Sequence, residues 1–150
     1  MRPLGLPASV AAGLLVAAPL HAQSDFERFE VVTEAMNALM NQAFIQVAPD
    51  LEGRMPAPEW DEPLRAAYRC MYDGFVDEVG EAPVGDMITA MENSLPDLTP
   101  QDMLGGENPV DNPEGLSDER ALEIVSDCQV MEVFEQRMVE SGAMEILTQQ

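Results

Sequence analysis

The chain contains only two cysteines, Cys70 and Cys128, and each lies within a run that has the apolar spacing of an amphipathic helix. In an exported chain, which meets an oxidising compartment, two cysteines are expected to form a disulfide. A Cys70–Cys128 bond would span 58 residues and stabilise the fold by about 4 kcal/mol, because it restricts the unfolded chain. The alternative is a reactive thiol pair, which typically has the close spacing C-x-x-C. The wide spacing favours a structural disulfide.

Residues 1–22 have the features of a signal peptide. Met1-Arg2 supplies one positive charge, residues 4–18 are small and apolar, and Pro19-Leu-His-Ala22 is typical of a cleavage site. A membrane anchor is the alternative, but the apolar run is interrupted by proline and is shorter than the roughly 20 residues needed to span a bilayer. The sequence therefore predicts a periplasmic or secreted protein that is not inserted in the membrane after cleavage.

Composition excludes several classes of function for the mature chain, residues 23–150. It has six arginines against 28 carboxylates, a formal net charge of −22, and neither histidine nor lysine. This charge disfavours nucleic-acid partners, which require a positive surface. Histidine-activated nucleophiles, common zinc sites and lysine Schiff bases are excluded. A carboxylate-dependent hydrolase is the remaining enzymatic hypothesis, and among 28 acids no catalytic pair stands out. We predict no enzyme, no catalytic residue and no cofactor.

Apolar periodicity predicts an all-α fold, a single domain formed by a small bundle of four to five helices. Ser24-Asp-Phe-Glu27 is a capping box that begins the first helix, and Asp61-Glu-Pro63 begins the second. A third helix follows the break at Gly80. Ser117 caps a fourth, whose apolar pattern continues without interruption to Met138. Residues 96–117 are predicted to be a long, acidic loop rich in proline and glycine, with one capped turn.

One polar line on the second predicted helix is a candidate binding feature. Arg65 and Arg69 are four residues apart, and Tyr72 follows three residues later. In a strongly negative chain, two neighbouring arginines could bind an anionic ligand or an acidic segment of a partner. The alternative is a ladder of ion pairs with Asp61 and Asp73, each at i, i+4 spacing.

Two groups of residues suggest cation binding, although no metal ligand is assigned. The acidic stretch Glu107–Glu114, with Asp118 and Glu119, offers oxygen ligands for Ca²⁺ but lacks the EF-hand spacing. Two methionine pairs at i, i+4 offer thioethers that suit Cu(I): Met36/Met40 and Met87/Met91. The alternatives are a solvated acidic loop and ordinary core packing by methionine.

These observations favour an exported, non-catalytic binding or protein-interaction module whose partner is an unknown protein or small ligand. The ten methionines that follow Met1 suggest an adaptable apolar groove for client segments. In being short, helical and held by one disulfide, the chain resembles small exported acid-stress chaperones in type, without a shared motif. The alternative function is cation binding, by Ca²⁺ at the acidic loop or by Cu(I) at the methionines.

Overall fold

The computed structural model describes residues 23–105 and 110–149, so the predicted signal peptide lies outside the described residues. The predicted all-α class is confirmed. Two short 3₁₀ segments, Pro49–Leu51 and Leu95–Asp97, connect some of the helices. Seven α-helices follow one another in the described residues: α1 Asp25–Val47, α2 Glu62–Val79, α3 Glu81–Ser94, α4 Pro100–Leu104, α5 Asp118–Asp127, α6 Val130–Glu140 and α7 Ala143–Thr148. Among them is no helix with the length and apolar character to cross a bilayer.

The predicted helix starts are confirmed by the caps that the structure shows. The Ser24 hydroxyl accepts from the Glu27 amide at 3.2 Å, while the Glu27 carboxylate accepts from the Ser24 amide at 2.8 Å. Asp61 Oδ1 accepts from the Leu64 amide at 3.0 Å, and Ser117 caps α5. Each cap satisfies amides that would otherwise lack a partner in a first turn, which fixes where the helix begins.

The predicted continuous helix from Ser117 to Met138 is wrong. The chain breaks at Cys128 and Gln129, and Gln129 takes the left-handed conformation with φ 56°. Apolar spacing continues through this break, so the pattern alone gives no sign of it. The break redirects the chain so that α5 and α6 both pack against α2. Together with the short helices α4 and α7, it raises the helix count above the four or five expected.

The predicted disulfide between Cys70 and Cys128 is confirmed, with the two Cα atoms 5.6 Å apart. It joins the middle of α2 to the C-terminal end of α5. One turn further along α2, Gly74 allows the two helices to approach closely, since an ideal Cβ there would lie 2.7 Å from Ile124 Cγ2. A covalent bond and a glycine contact therefore fix the same helix pair.

Two clusters of buried side chains form the core. The larger surrounds an aromatic group of Phe26, Phe29 and Trp60 and extends through α2, α3 and α5. Trp60 stacks on Tyr68 with ring centroids 4.4 Å apart and an interplanar angle of 5°. The smaller cluster lies where the end of α1 meets α6 and α7. The larger cluster positions the helices that line the site described below.

A pair of glycine-to-alanine variants tests the α2–α5 contact. Gly74→Ala should lower the free energy of unfolding by about 1–3 kcal/mol, because the branched, buried Ile124 cannot yield without repacking. Gly85→Ala in α3 is the matched control: the nearest atom to its added Cβ is Asp25 Oδ2, at 3.2 Å, at the end of a side chain that can rotate. There the helix propensity of alanine should stabilise by up to about 1 kcal/mol. Urea denaturation of both variants gives the comparison, and equal effects would contradict the close contact.

Candidate functional site

A largely apolar pocket is lined by four methionines that come from three helices. Met36 belongs to α1, Met71 to α2, and Met87 and Met91 to α3. We call this the methionine pocket; its volume is about 260 Å³. Its remaining lining residues are Phe29, Thr33, Tyr68, Phe75, Val110, Asp111, Asn112 and Val125. Thioether side chains are flexible and polarisable, so such a wall can adapt to apolar groups of different shape.

Thr33 is a buried polar residue of the methionine pocket, whose lining also includes the polar residues Asp111 and Asn112. Its residue is 7% exposed, and its Oγ1 is buried without a hydrogen-bond partner among the described residues. A buried hydroxyl without a partner costs about 1–3 kcal/mol, so native structures rarely retain one. Thr33 therefore gives the apolar wall one unused donor and acceptor.

A second, acidic groove lies beside the methionine pocket and continues from it. Its volume is about 380 Å³, and its three carboxylates are those of Asp86, Asp111 and Glu114. The two cavities share Met87 and the segment Val110–Asn112, which forms a common wall. The other residues that line the acidic groove are Pro83, Ala90, Ser94 and Pro113. An apolar compartment and an anionic compartment thus meet along one face of α3.

Arg28 holds α3 in the position that forms this face. Its guanidinium binds both oxygens of Glu92, with Nε–Oε1 3.0 Å and Nη2–Oε2 2.6 Å, and also reaches Thr89 Oγ1 at 2.9 Å. On its own helix it binds Asp25 at 2.7 Å. A two-pronged arginine–carboxylate contact fixes both distance and orientation. The hydrogen bonds from Arg28 also lower the pKa of Glu92.

The segment Val110–Asn112, which lines both cavities, is held in place by local contacts. Asn112 Nδ2 donates to Asp118 Oδ1 at 2.7 Å, which ties the segment to the first turn of α5. Pro113 is fully buried, and the Leu116 amide donates to its carbonyl at 3.0 Å. Val110–Asn112 therefore keeps a defined place beside α3, although the sequence predicts only a loop here.

The two tyrosines add an aromatic but uncharged surface. Burial raises the pKa of Tyr68, which lines the methionine pocket. Burial also raises the pKa of Tyr72, with the carboxylates of Asp25 and Glu81 adding to the effect. Since a phenol ordinarily ionises near pH 10, both rings stay neutral at physiological pH.

The structure places the predicted site residues Arg65, Arg69 and Tyr72 at the contact between α2 and α1. Arg65 pairs with Glu30, and the guanidinium carbon of Arg69 lies 3.3 Å from the Phe26 ring centroid. Tyr72 packs edge-on against Phe26, with ring centroids 5.4 Å apart. Their contact with an anion or acidic partner stays a prediction.

The alternative for this line, a ladder of ion pairs along α2, is not formed among residues 23–105 and 110–149. Asp61 instead uses its second oxygen to bind Arg137 Nε of α6, at 2.9 Å. Arg137 also donates to the carbonyls of Ala57 and Glu59, at 3.0 and 2.9 Å. Arg65 therefore pairs with α1, and Asp61 with α6, rather than along α2.

The structure places three of the four methionines that the sequence pairs in one pocket, and their role in binding stays a prediction. Met36, Met87 and Met91 do converge on one pocket, whereas Met40 is half-buried elsewhere on α1. Met71 and Thr33 joined the site without a sequence signal, because both occupy ordinary positions on a helix face. For the predicted Ca²⁺ loop, residues 107–109 lie outside the described residues. In the described remainder, no three carboxylates are grouped as a metal site would need.

Comparison of the chain with protein-family models, with curated proteins and with solved structures finds no match.

Substituting Thr33 by valine should stabilise the protein by about 1 kcal/mol, because it replaces a buried hydroxyl that lacks a partner with a methyl group of similar size. Thr89→Val is the matched control: Thr89 Oγ1 donates to the Gly85 carbonyl and accepts from Arg28, both at 2.9 Å. That variant should lose about 0.5–1.5 kcal/mol. Chemical denaturation measures both, and a loss of stability in Thr33→Val would show that its hydroxyl is hydrogen-bonded in solution.

Proposed function

We propose that this protein is an exported, non-catalytic interaction module that receives apolar side chains of a partner in the methionine pocket. The observation that carries the proposal is the convergence of Met36, Met71, Met87 and Met91, with aromatic rings, on one open pocket that contains a buried hydroxyl without a partner. Methionine-rich surfaces suit partners of variable sequence, because unbranched thioethers repack at low cost.

The size of the pocket narrows the kind of occupant. At about 260 Å³, it is smaller than the roughly 300–1,000 Å³ of sites that enclose a drug-sized ligand. It therefore suits one or two apolar side chains of a partner that remains largely outside. A binding module with a shallow anchor pocket is consistent with a mature chain that lacks histidine and lysine.

Export of the chain is part of the same proposal. Support comes from the signal-peptide features of residues 1–22 and from the Cys70–Cys128 disulfide, a bond typical of oxidising compartments. Binding is expected of the oxidised protein, because the disulfide joins α2, which carries Met71, to α5, which carries Val125, and both residues line the pocket.

A neutral solvatochromic dye tests the pocket directly. The oxidised wild-type protein should bind the dye, and Met91→Glu should weaken binding by roughly tenfold or more, because it places a charge on an apolar wall. Met131→Glu is the control, since it adds the same charge to a residue that is 65% exposed outside the pocket. Met91→Ala removes contact area without adding charge and should weaken binding to a smaller degree. Absence of dye binding by the wild type, or an equal loss in Met131→Glu, would refute the proposal.

A second candidate function, Cu(I) binding, is favoured by the same four thioethers around one pocket, since sulfur ligands select soft cations. Titration with Cu(I) under anaerobic conditions, followed by native mass spectrometry, should then retain one ion. Replacing Met87 and Met91 by leucine should abolish retention while leaving dye binding nearly intact. If the wild type retains no ion, or the leucine variant still does, the methionine pocket is not a copper site.

A further inference from the structure

We infer that the partner of the methionine pocket and the adjoining acidic groove is a peptide segment of another protein in which apolar residues lie next to arginine or lysine. The apolar residues would enter the methionine pocket and the cationic ones would lie in the acidic groove. This inference rests on the proposed function, because it assigns the partner of the same site.

The argument begins with the continuity of the two cavities. Met87 and Val110–Asn112 line both, so the two cavities adjoin each other and one bound segment can contact both. Along α3 the acidic groove extends from Pro83 to Ser94, which corresponds to about 16 Å at 1.5 Å per helical residue. An extended peptide covers that length with about five residues. The face is thus long enough for a peptide and too long for a single side chain.

The carboxylates of the acidic groove indicate that part of the partner peptide is cationic. Asp86, Asp111 and Glu114 are all exposed, and none forms an ion pair within the described ranges 23–105 and 110–149. No arginine is among the residues that line either cavity. Meanwhile Arg28, Arg65, Arg120 and Arg137 are engaged in ion pairs elsewhere. These three carboxylates are therefore available to a cationic partner, and the net charge of −22 attracts one over distance.

The methionine pocket supplies a further observation, which does not depend on charge. Thr33, more than nine-tenths buried, lines the methionine pocket with a hydroxyl that no described group satisfies. Because Thr33 Oγ1 has almost no accessible area, an amide or carbonyl of a bound peptide would pair with it only if the flexible methionine side chains of the pocket shifted. An apolar side chain in the pocket and a polar backbone at Thr33 together fit a peptide.

The test uses two short fluorescent peptides and the oxidised mature protein. Both peptides carry the apolar sequence Leu-Phe-Met; in the first it is followed by two arginines, and in the second by two citrullines, which have the same shape without the charge. The arginine peptide should bind at least about fivefold more tightly at low ionic strength, and the difference should shrink as salt is added.

Two triple variants distinguish the effect of the acidic groove on peptide binding from the effect of net charge. The first variant removes the carboxylates of the acidic groove by combining Asp86→Asn, Asp111→Asn and Glu114→Gln. The second variant removes three exposed carboxylates that line neither cavity, by combining Asp73→Asn, Asp77→Asn and Glu135→Gln. The net charge changes equally in both. The first variant should bind the arginine peptide no better than the citrulline peptide, whereas the second should keep the preference of the wild type.

The outcomes distinguish the two proposals. Equal binding of the two peptides by the wild type would overturn the cationic partner while supporting the apolar pocket. An equal loss in both triple variants would attribute the preference to net charge and would overturn the assignment to this groove. If the wild type binds neither peptide and does not bind the neutral dye, the proposed function itself fails.

Discussion

The disulfide between Cys70 and Cys128 is the constraint on which the arrangement of the other helices depends. It fixes the end of α5 to the middle of α2, and Gly74 one turn later lets Ile124 approach the α2 backbone. In the entropic account of disulfides, a bond across 58 residues contributes about 4 kcal/mol, which is a large share of the 5–15 kcal/mol that small domains ordinarily retain. With α2 and α5 joined in this way, their apolar faces form one side of the larger core and two walls of the methionine pocket.

Helices and their starts could be predicted from the sequence because the signals are local. A capping box at Ser24 and Glu27, and an aspartate before Leu64, involve residues only three apart. The break at Gln129 could not be predicted, because the apolar spacing runs through it unchanged. The break is visible only in the tertiary structure, where the disulfide holds Cys128 against α2 and the left-handed Gln129 follows.

The site was harder to predict than the fold for a related reason. A methionine on the buried face of a helix has the same spacing whether it faces a filled core or an open pocket. The sequence therefore shows only two separate pairs, Met36/Met40 and Met87/Met91, and the pocket that three of these methionines line depends on α1, α2 and α3 being brought together. Val110–Asn112 lies within the acidic stretch that the sequence suggested for Ca²⁺, but its place beside α3 could not be predicted, because it depends on contacts such as that of Asn112 with Asp118.

The disulfide and the two neutral tyrosines limit how far the side-chain charge of this protein can change with pH. Residues 23–149 contain no histidine, lysine or free thiol, so their ionisable types are carboxylates, arginines and two phenols. None of these types ordinarily changes charge between about pH 6 and 9, and burial moves both phenols further from that range. The side chains of these residues thus present an almost constant charge across neutral pH. Sensitivity of binding to pH in this range would originate in the titrating groups of the partner or in the terminal amino group of this chain, rather than in these side chains.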